Sequence, residues 1–278
     1  MYISVNGARL YISIAGEKQE ETIVILHGGR GIGDHRADFS AFLPLASEYR
    51  LIAYDHRGCG QSSLSPPYTF DQLVEDVEGV RLSLDLGRIN LAGGSFGGMI
   101  ALLYALKYPQ NLRRLILRGT AASYHHEEQA LQNCKARLHK ACSASINMCR
   151  KLFSADVEDD LELRLIWFAL QPLYYEQFDP DAALAKVRQM HVHADTHNAL
   201  FSIKESYDVR DRLHEIQVPT LVVVGSKDWI CPVSESQFIA DHIPNARLVV
   251  FEGCNHAAHI EDNAKFVQMV REFMSSTP

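Results

Sequence analysis

The stretch Leu91-Ala92-Gly93-Gly94-Ser95-Phe96-Gly97-Gly98-Met99-Ile100-Ala101 constrains this chain more than any other. Gly93-x-Ser95-x-Gly97 is the spacing that sets a serine on a sharp turn from strand to helix. The hydroxyl must stand clear of the sheet, which needs strained backbone at the corner. Glycines two residues to either side let strand and helix approach without colliding Cβ atoms. The flanks agree: Arg88-Ile89-Asn90-Leu91-Ala92 reads as a short buried strand, and Gly98 to Tyr108 as a helix stopped by Pro109. A helix starting there aims free N–H groups and the positive end of its dipole at the serine, where an oxyanion would form. The pattern therefore predicts a nucleophilic Ser95.

The surrounding chain carries the rhythm such a turn requires. Tyr2–Val5 and Leu10–Ile14 flank Asn6-Gly7 as an opening hairpin, and Thr22–Leu26 is an apolar run suited to a strand buried on both faces. A glycine-rich loop, His27 to Gly33, follows, then a helix from about Arg36 to Ser47 and the strand Arg50–Tyr54. A helix from about Thr69 to Leu86 leads to the elbow strand, and Leu112–Leu117 is a further strand. Strands alternating with helices imply an α/β fold with a mostly parallel sheet flanked by helices. From about Thr120 to Leu213 no buried strand is evident, and helical stretches such as Glu128–Arg150 and Leu161–Leu170 take over. The pattern resumes with the strand 219–225, the helix Ser234–His242, the strand Arg247–Phe251 and the helix Asn263–Met274. The expected organisation is a catalytic domain of residues 1–119 and 215–278, with residues 120–214 inserted as a helical cap. A cap over the carboxyl edge of the sheet, where ligands bind in open α/β folds, is a candidate substrate lid.

A serine hydroxyl is a poor nucleophile at neutral pH and needs a base, itself oriented by a carboxylate. On strand-to-helix elbows these partners follow the serine in the order acid, then histidine. Asp228 lies just beyond the strand 219–225, and His256 lies beyond the strand ending at Phe251. The bland alternatives are a turn-capping aspartate and a hydrogen-bonded loop histidine. Three such residues in the right order at successive strand ends favour the catalytic reading, with His256 preferred to His259 as base. The backbone N–H groups of Phe96 and Gly29 are the candidate oxyanion donors. Trp167, Phe168, Tyr174, Tyr175 and Phe178 are aromatic candidates for the cap's core, with Trp167 and Tyr175 taken as pocket residues. Cys134, Leu138, Cys142 and Cys149 fall close to one helical face and read as cap core. His191-x-His193-x-Asp195-x-His197 resembles a zinc motif but is one residue too long before its last histidine, and it sits in the cap. No metal site and no cofactor is expected.

The totals exclude whole classes of function. A formal net charge of −7 with no basic stripe argues against nucleic acid and anionic membranes as partners. No apolar run approaches the roughly 18 residues of a membrane span. The amino terminus opens on a strand pattern with no basic or apolar leader, and the six cysteines show no disulfide or CxxC spacing. A cytoplasmic protein acting on a small-molecule substrate is expected, with a homodimer left open.

Four motifs carry a resemblance. His27-Gly28-Gly29-Arg30-Gly31 resembles the HGGPG loop of the proline iminopeptidases, and Tyr54 to Ser62 resembles their YDQRGxGRS segment. Gly93-Gly94-Ser95-Phe96-Gly97-Gly98 resembles their GGSWG elbow, and Asn255-His256-Ala257-Ala258-His259-Ile260-Glu261 follows the GHxxHxE pattern of the wider α/β-hydrolase superfamily. The chain thus resembles an α/β-hydrolase of the proline iminopeptidase-like group over about 1–118 and 218–274. The resemblance implies that fold, the Ser95–Asp228–His256 triad and hydrolytic activity. Two departures stand out. Arg30 replaces the proline of the loop, and Trp229 follows Asp228 where the iminopeptidases carry a glutamate that holds the substrate amine. An indole carries no charge to pair with an ammonium, so Trp229 is expected in a pocket for a neutral acyl group. Glu176 and Glu205 would have to fold inward to replace that glutamate. The resulting expectation is a metal-independent serine hydrolase of small esters, lactones or amides. An iminopeptidase, a carbon–carbon bond hydrolase and a non-enzymatic ligand receptor are the rivals. An elbow serine in place of aspartate argues against epoxide hydrolases and haloalkane dehalogenases.

Overall fold

The computed structural model describes residues 1–276. Its strands are β1 (Tyr2–Val5), β2 (Ala8–Ala15), β3 (Thr22–Leu26), β4 (Arg50–Tyr54), β5 (Ile89–Gly94), β6 (Leu112–Arg118), β7 (Thr220–Gly225) and β8 (Ala246–Phe251). They form one eight-stranded sheet in the order β1-β2-β4-β3-β5-β6-β7-β8. β2 runs antiparallel to β1 and β4, and every other pairing is parallel. The opening hairpin turns on Asn6 and Gly7, both at positive φ (46° and 76°), as a tight two-residue turn demands.

The helices follow from the same alternation. α1 (Arg36–Phe42), α2 (Phe70–Ser83) and α3 (Phe96–Lys107) connect the early strands, and α9 (Val233–His242), α10 (Ala258–Glu261) and α11 (Asn263–Ser275) belong to the end of the chain. Successive side chains of β3 enter opposite cores, because a strand's side chains alternate. Val24 and Leu26 pack with Ile52, Tyr54 and the residues of α2 and α3. Ile23 and Ile25 pack with Leu51, Phe42 of α1, and Phe266, Val270 and Phe273 of α11. The sheet is thereby covered on both faces, which explains why its central strands read as unbroken apolar runs.

Between β6 and β7 lie α4 (His126–Arg137), α5 (Ile146–Leu152), α6 (Asp160–Leu170), α7 (Pro180–Gln189) and α8 (Ala194–Ser202). The helix expected over Glu128–Arg150 is broken, because Ser145 caps a new helix by accepting from the N–H of Met148 at 3.2 Å. Cys134 and Cys149 are buried in this region, but Cys142 falls in the break and is exposed. The helix expected from Arg36 to Ser47 also stops early, giving way at Leu43–Leu45 to a tighter turn that contains Pro44. This helical segment between β6 and β7 is stitched to the loop after β3. Ile32 and Val192 form a β-bridge, the N–H of Gly33 donates to His191 O at 2.9 Å, and that of His193 donates to Gly31 O at 2.8 Å. Among the described residues no helix is long and apolar enough to cross a membrane.

Candidate active site

Three loops at the carboxyl edge of the sheet converge on one cavity of about 480 Å³. Gly28 and Gly29 come from the loop after β3, Ser95 from the turn after β5 and His256 from the loop after β8. Ser95 sits between β5 and α3 at φ 51° and ψ −120°. Such backbone costs on the order of 1–3 kcal/mol for a non-glycine residue and needs firm support. Its N–H donates to Arg118 O at 2.8 Å, and Thr120 Oγ1 donates to its carbonyl at 2.8 Å. The flanking glycines are a steric requirement: a Cβ on Gly97 would overlap the Leu26 carbonyl, and one on Gly93 would overlap that of Gly97.

Asp228 and His256 meet. His256 Nδ1 donates to Asp228 Oδ2 at 2.7 Å, while Asp228 Oδ1 accepts from the N–H groups of Ile230 and Cys231 at 3.0 Å each. One oxygen of this buried carboxylate caps a turn and the other orients the imidazole. With Nδ1 engaged as donor, a neutral ring keeps Nε2 as its acceptor. Ser95 and His256 line the same cavity without a direct hydrogen bond between them, a contact that catalytic pairs often tighten only around substrate.

His259 is held elsewhere. Its Nε2 lies 3.2 Å from Asp38, which also receives Arg118 Nη2 at 2.7 Å. Burial and the Arg118 charge push the His259 pKa down to about 4. Burial alone would raise the Asp38 carboxyl, but Arg118 and His259 together hold it well below the usual carboxylate range. Arg118 Nη1 also donates to His256 O at 3.2 Å, so this cluster braces the backbone of the histidine loop.

Gly29 and Phe96 both border the cavity. Phe96 opens α3, so its N–H has no intrahelical acceptor. The loop lies directly against the serine, since a Cβ built on Gly28 would stand 3.1 Å from Ser95 Cβ. His27 and His56 fasten it from below: the N–H of His56 donates to His27 Nε2, and His56 Nε2 donates to His27 O, both at 3.1 Å.

Trp167, Tyr174 and Tyr175 line the cavity wall, whereas Phe168 and Phe178 do not border it. Trp229 corrects an expectation. It is fully buried and lies behind Tyr174 and Phe153, with ring centroids 5.4 and 6.3 Å away, and these two residues line the cavity in its place. Neither of the two carboxylates that could have replaced the missing glutamate folds inward. Glu176 pairs with Lys140 and Lys227, Glu205 is exposed, and neither borders the cavity. Glu127, which no sequence motif marked, does border it. Its Oε2 receives Lys204 Nζ at 2.6 Å and its Oε1 receives Arg30 Nη1 at 3.2 Å. The three cap histidines take separate partners: His191 faces Asp34, His193 approaches Gly60 O, and His197 Nδ1 donates to Arg30 O.

A family model described as Serine aminopeptidase, S33, matches residues 17–263. The chain belongs to that family. It is a serine hydrolase of the α/β-hydrolase fold, similar to proline iminopeptidases. Proline iminopeptidase PfmaB of Pestalotiopsis fici is 45% identical over 98% of each chain. The proline iminopeptidase of Lactobacillus delbrueckii subsp. lactis is 29% identical over 99% of this chain and 97% of its own. In fold, an enol-lactonase from Burkholderia xenovorans LB400 superposes with a TM-score of 0.78 at 24% identity, covering 99% of this chain and 100% of the other. Within this S33 family member, Arg30 is the site residue whose departure from the HGGPG pattern was visible in sequence, and Glu127 is the one that only the fold reveals.

Proposed function

We propose that this protein hydrolyses small carboxylic esters, lactones or amides through an acyl-enzyme on Ser95, without a metal. The observation that carries the reading is the 2.7 Å Asp228–His256 hydrogen bond beside an elbow serine on the same cavity. In the forward step Ser95 Oγ attacks the substrate carbonyl while His256 Nε2 takes its proton. The N–H groups of Gly29 and Phe96 receive the tetrahedral oxyanion, which needs no reorganisation because both are fixed by a loop and a helix start. His256 then protonates the leaving group, and water repeats the sequence on the acyl-enzyme. Asp228 holds the ring's tautomer and balances the imidazolium charge throughout.

Cleavage of an amino-terminal proline is the second reading, favoured by the names of the relatives at 45% and 29% identity. Against it stands the cavity's chemistry. Each carboxylate that borders it is already paired: Asp34 with Arg36, Asp38 with Arg118, and Glu127 with both Arg30 and Lys204. The deciding assay compares a neutral acyl anilide with the prolyl anilide at one pH, alongside labelling of Ser95 by a fluorophosphonate. Labelling that is lost in Ser95→Ala, with the neutral anilide cleaved at least as well, is the expected result. A preference for the prolyl compound that disappears when its amine is removed would overturn the first reading in favour of the second.

A further inference from the structure

Arg30 is a buried cation in the wall of the cavity that holds Ser95. It follows the candidate oxyanion donor Gly29 directly, is only 6% exposed and borders the cavity. Its guanidinium lies over the rings of Phe96 and Phe201, 5.2 and 4.2 Å from their centroids. Phe96 is the residue after Ser95, and Phe201 belongs to α8, so the cation stands between the elbow and the helical segment above it.

Its hydrogen bonds are incomplete. A guanidinium carries five N–H donors. Nη1 reaches Glu127 at 3.2 Å and Nη2 reaches only the thioether of Met99 at 3.5 Å, a weak acceptor. Glu127 is held more closely by Lys204, at 2.6 Å. Two cations thus share one carboxylate, and the cluster keeps a surplus positive charge at the cavity wall. Buried charge without a full counter-charge costs several kcal/mol, and an anion entering the cavity would offset that cost. The nearby histidines do not supply further charge: burial pushes His126 and His197 each down to about 4.

We infer that the substrate carries a carboxylate, held by the free donors of Arg30 while Ser95 attacks its ester, lactone or amide carbonyl. The inference rests on the serine-hydrolase reading above and narrows it to a substrate class. A guanidinium fork matches the two oxygens of a carboxylate, and such charge-assisted bonds are about twice as strong as neutral ones. The same surplus charge repels the ammonium of an amino-terminal residue.

The test uses the full-length protein and matched esters: phenyl butyrate, phenyl hemisuccinate with the carboxylate on the acyl side, and 4-carboxyphenyl butyrate with it on the leaving group. The expected result is that one carboxylate ester exceeds the neutral ester in kcat/KM by about tenfold or more. Arg30→Met should bring that ratio close to one, and Arg30→Lys should retain part of it, with rates normalised to fluorophosphonate-titrated sites. The wild-type ratio decides the matter even if the variants fold poorly. Turnover of the neutral ester with both carboxylate esters at or below it would overturn this inference alone. No turnover of any ester, with Ser95 unlabelled, would overturn the functional reading and this inference with it.

Discussion

Replacing Asp76 by asparagine should destabilise the protein severely while leaving its chemistry in place. Arg57 stands in the loop after β4, and Asp76 stands in α2; both side chains are about 1% exposed. Arg57 Nε and Nη2 meet the two carboxylate oxygens at 2.6 and 2.7 Å, and its remaining donors reach Ser65 O and Asn6 O at 3.1 Å each. Asp76→Asn keeps the shape but removes the counter-charge from a buried guanidinium. Breaking one side of such a pair costs about 3–5 kcal/mol, and the two carbonyl contacts that remain put the loss near the lower figure. Against a net stability of about 5–15 kcal/mol that is a large share, and for a domain of this length it lowers Tm by roughly 10 °C. Urea unfolding followed by far-ultraviolet circular dichroism should show a lower midpoint with an unchanged slope. The double variant Arg57→Met/Asp76→Leu should recover most of the loss, because no uncompensated charge remains. Neither residue borders the cavity, so turnover per folded molecule should stay within about twofold. A Tm shift below about 2 °C for Asp76→Asn, or a double variant less stable than the single one, would refute the reasoning.

Ser95→Ala should lower kcat by about 10⁴ or more with unfolding curves unchanged, and His256→Ala should be comparably damaging. His259→Ala should cost far less activity; if it proved the worse of the two histidine variants, the base would be misassigned. Stability should fall steeply as pH drops from about 6.5 towards 4, because His126, His197 and His259 each have a folded-state pKa near 4 against 6.5. Below 6.5 the unfolded chain binds these protons first, so acid favours it, by up to about 3 kcal/mol for each histidine. Urea midpoints measured across that range check the sign, and a midpoint flat between pH 6.5 and 4.5 would count against it.

Much of the sheet was readable because each central strand is buried on both faces and its neighbours alternate with amphipathic helices. The elbow was readable because the steric demands at Gly93 and Gly97 leave no other residue type. Trp229 shows where adjacency in sequence misleads. Asp228 Oδ1 holds the N–H groups of Ile230 and Cys231, and in the resulting turn the Trp229 ring packs behind Tyr174 instead of lining the cavity. Glu127 shows the complementary failure. It lies in the first turn of α4 within a run of polar residues, with no periodic signal to mark it. Only the meeting of α4 with Arg30 and Lys204, 97 and 77 residues away along the chain, makes it a cavity residue.

The short bridge between Ile32 and Val192 has a mechanical consequence. Residues 31–33 of the loop beside Ser95 and residues 191–193 of the helical segment are joined by backbone hydrogen bonds, and a Cβ on Gly31 would meet His193 O at 2.5 Å. Two segments tied this closely cannot part freely at that edge. A swing of the helical segment, were one needed to admit substrate, would have to pivot about this seam or tug on the glycine loop.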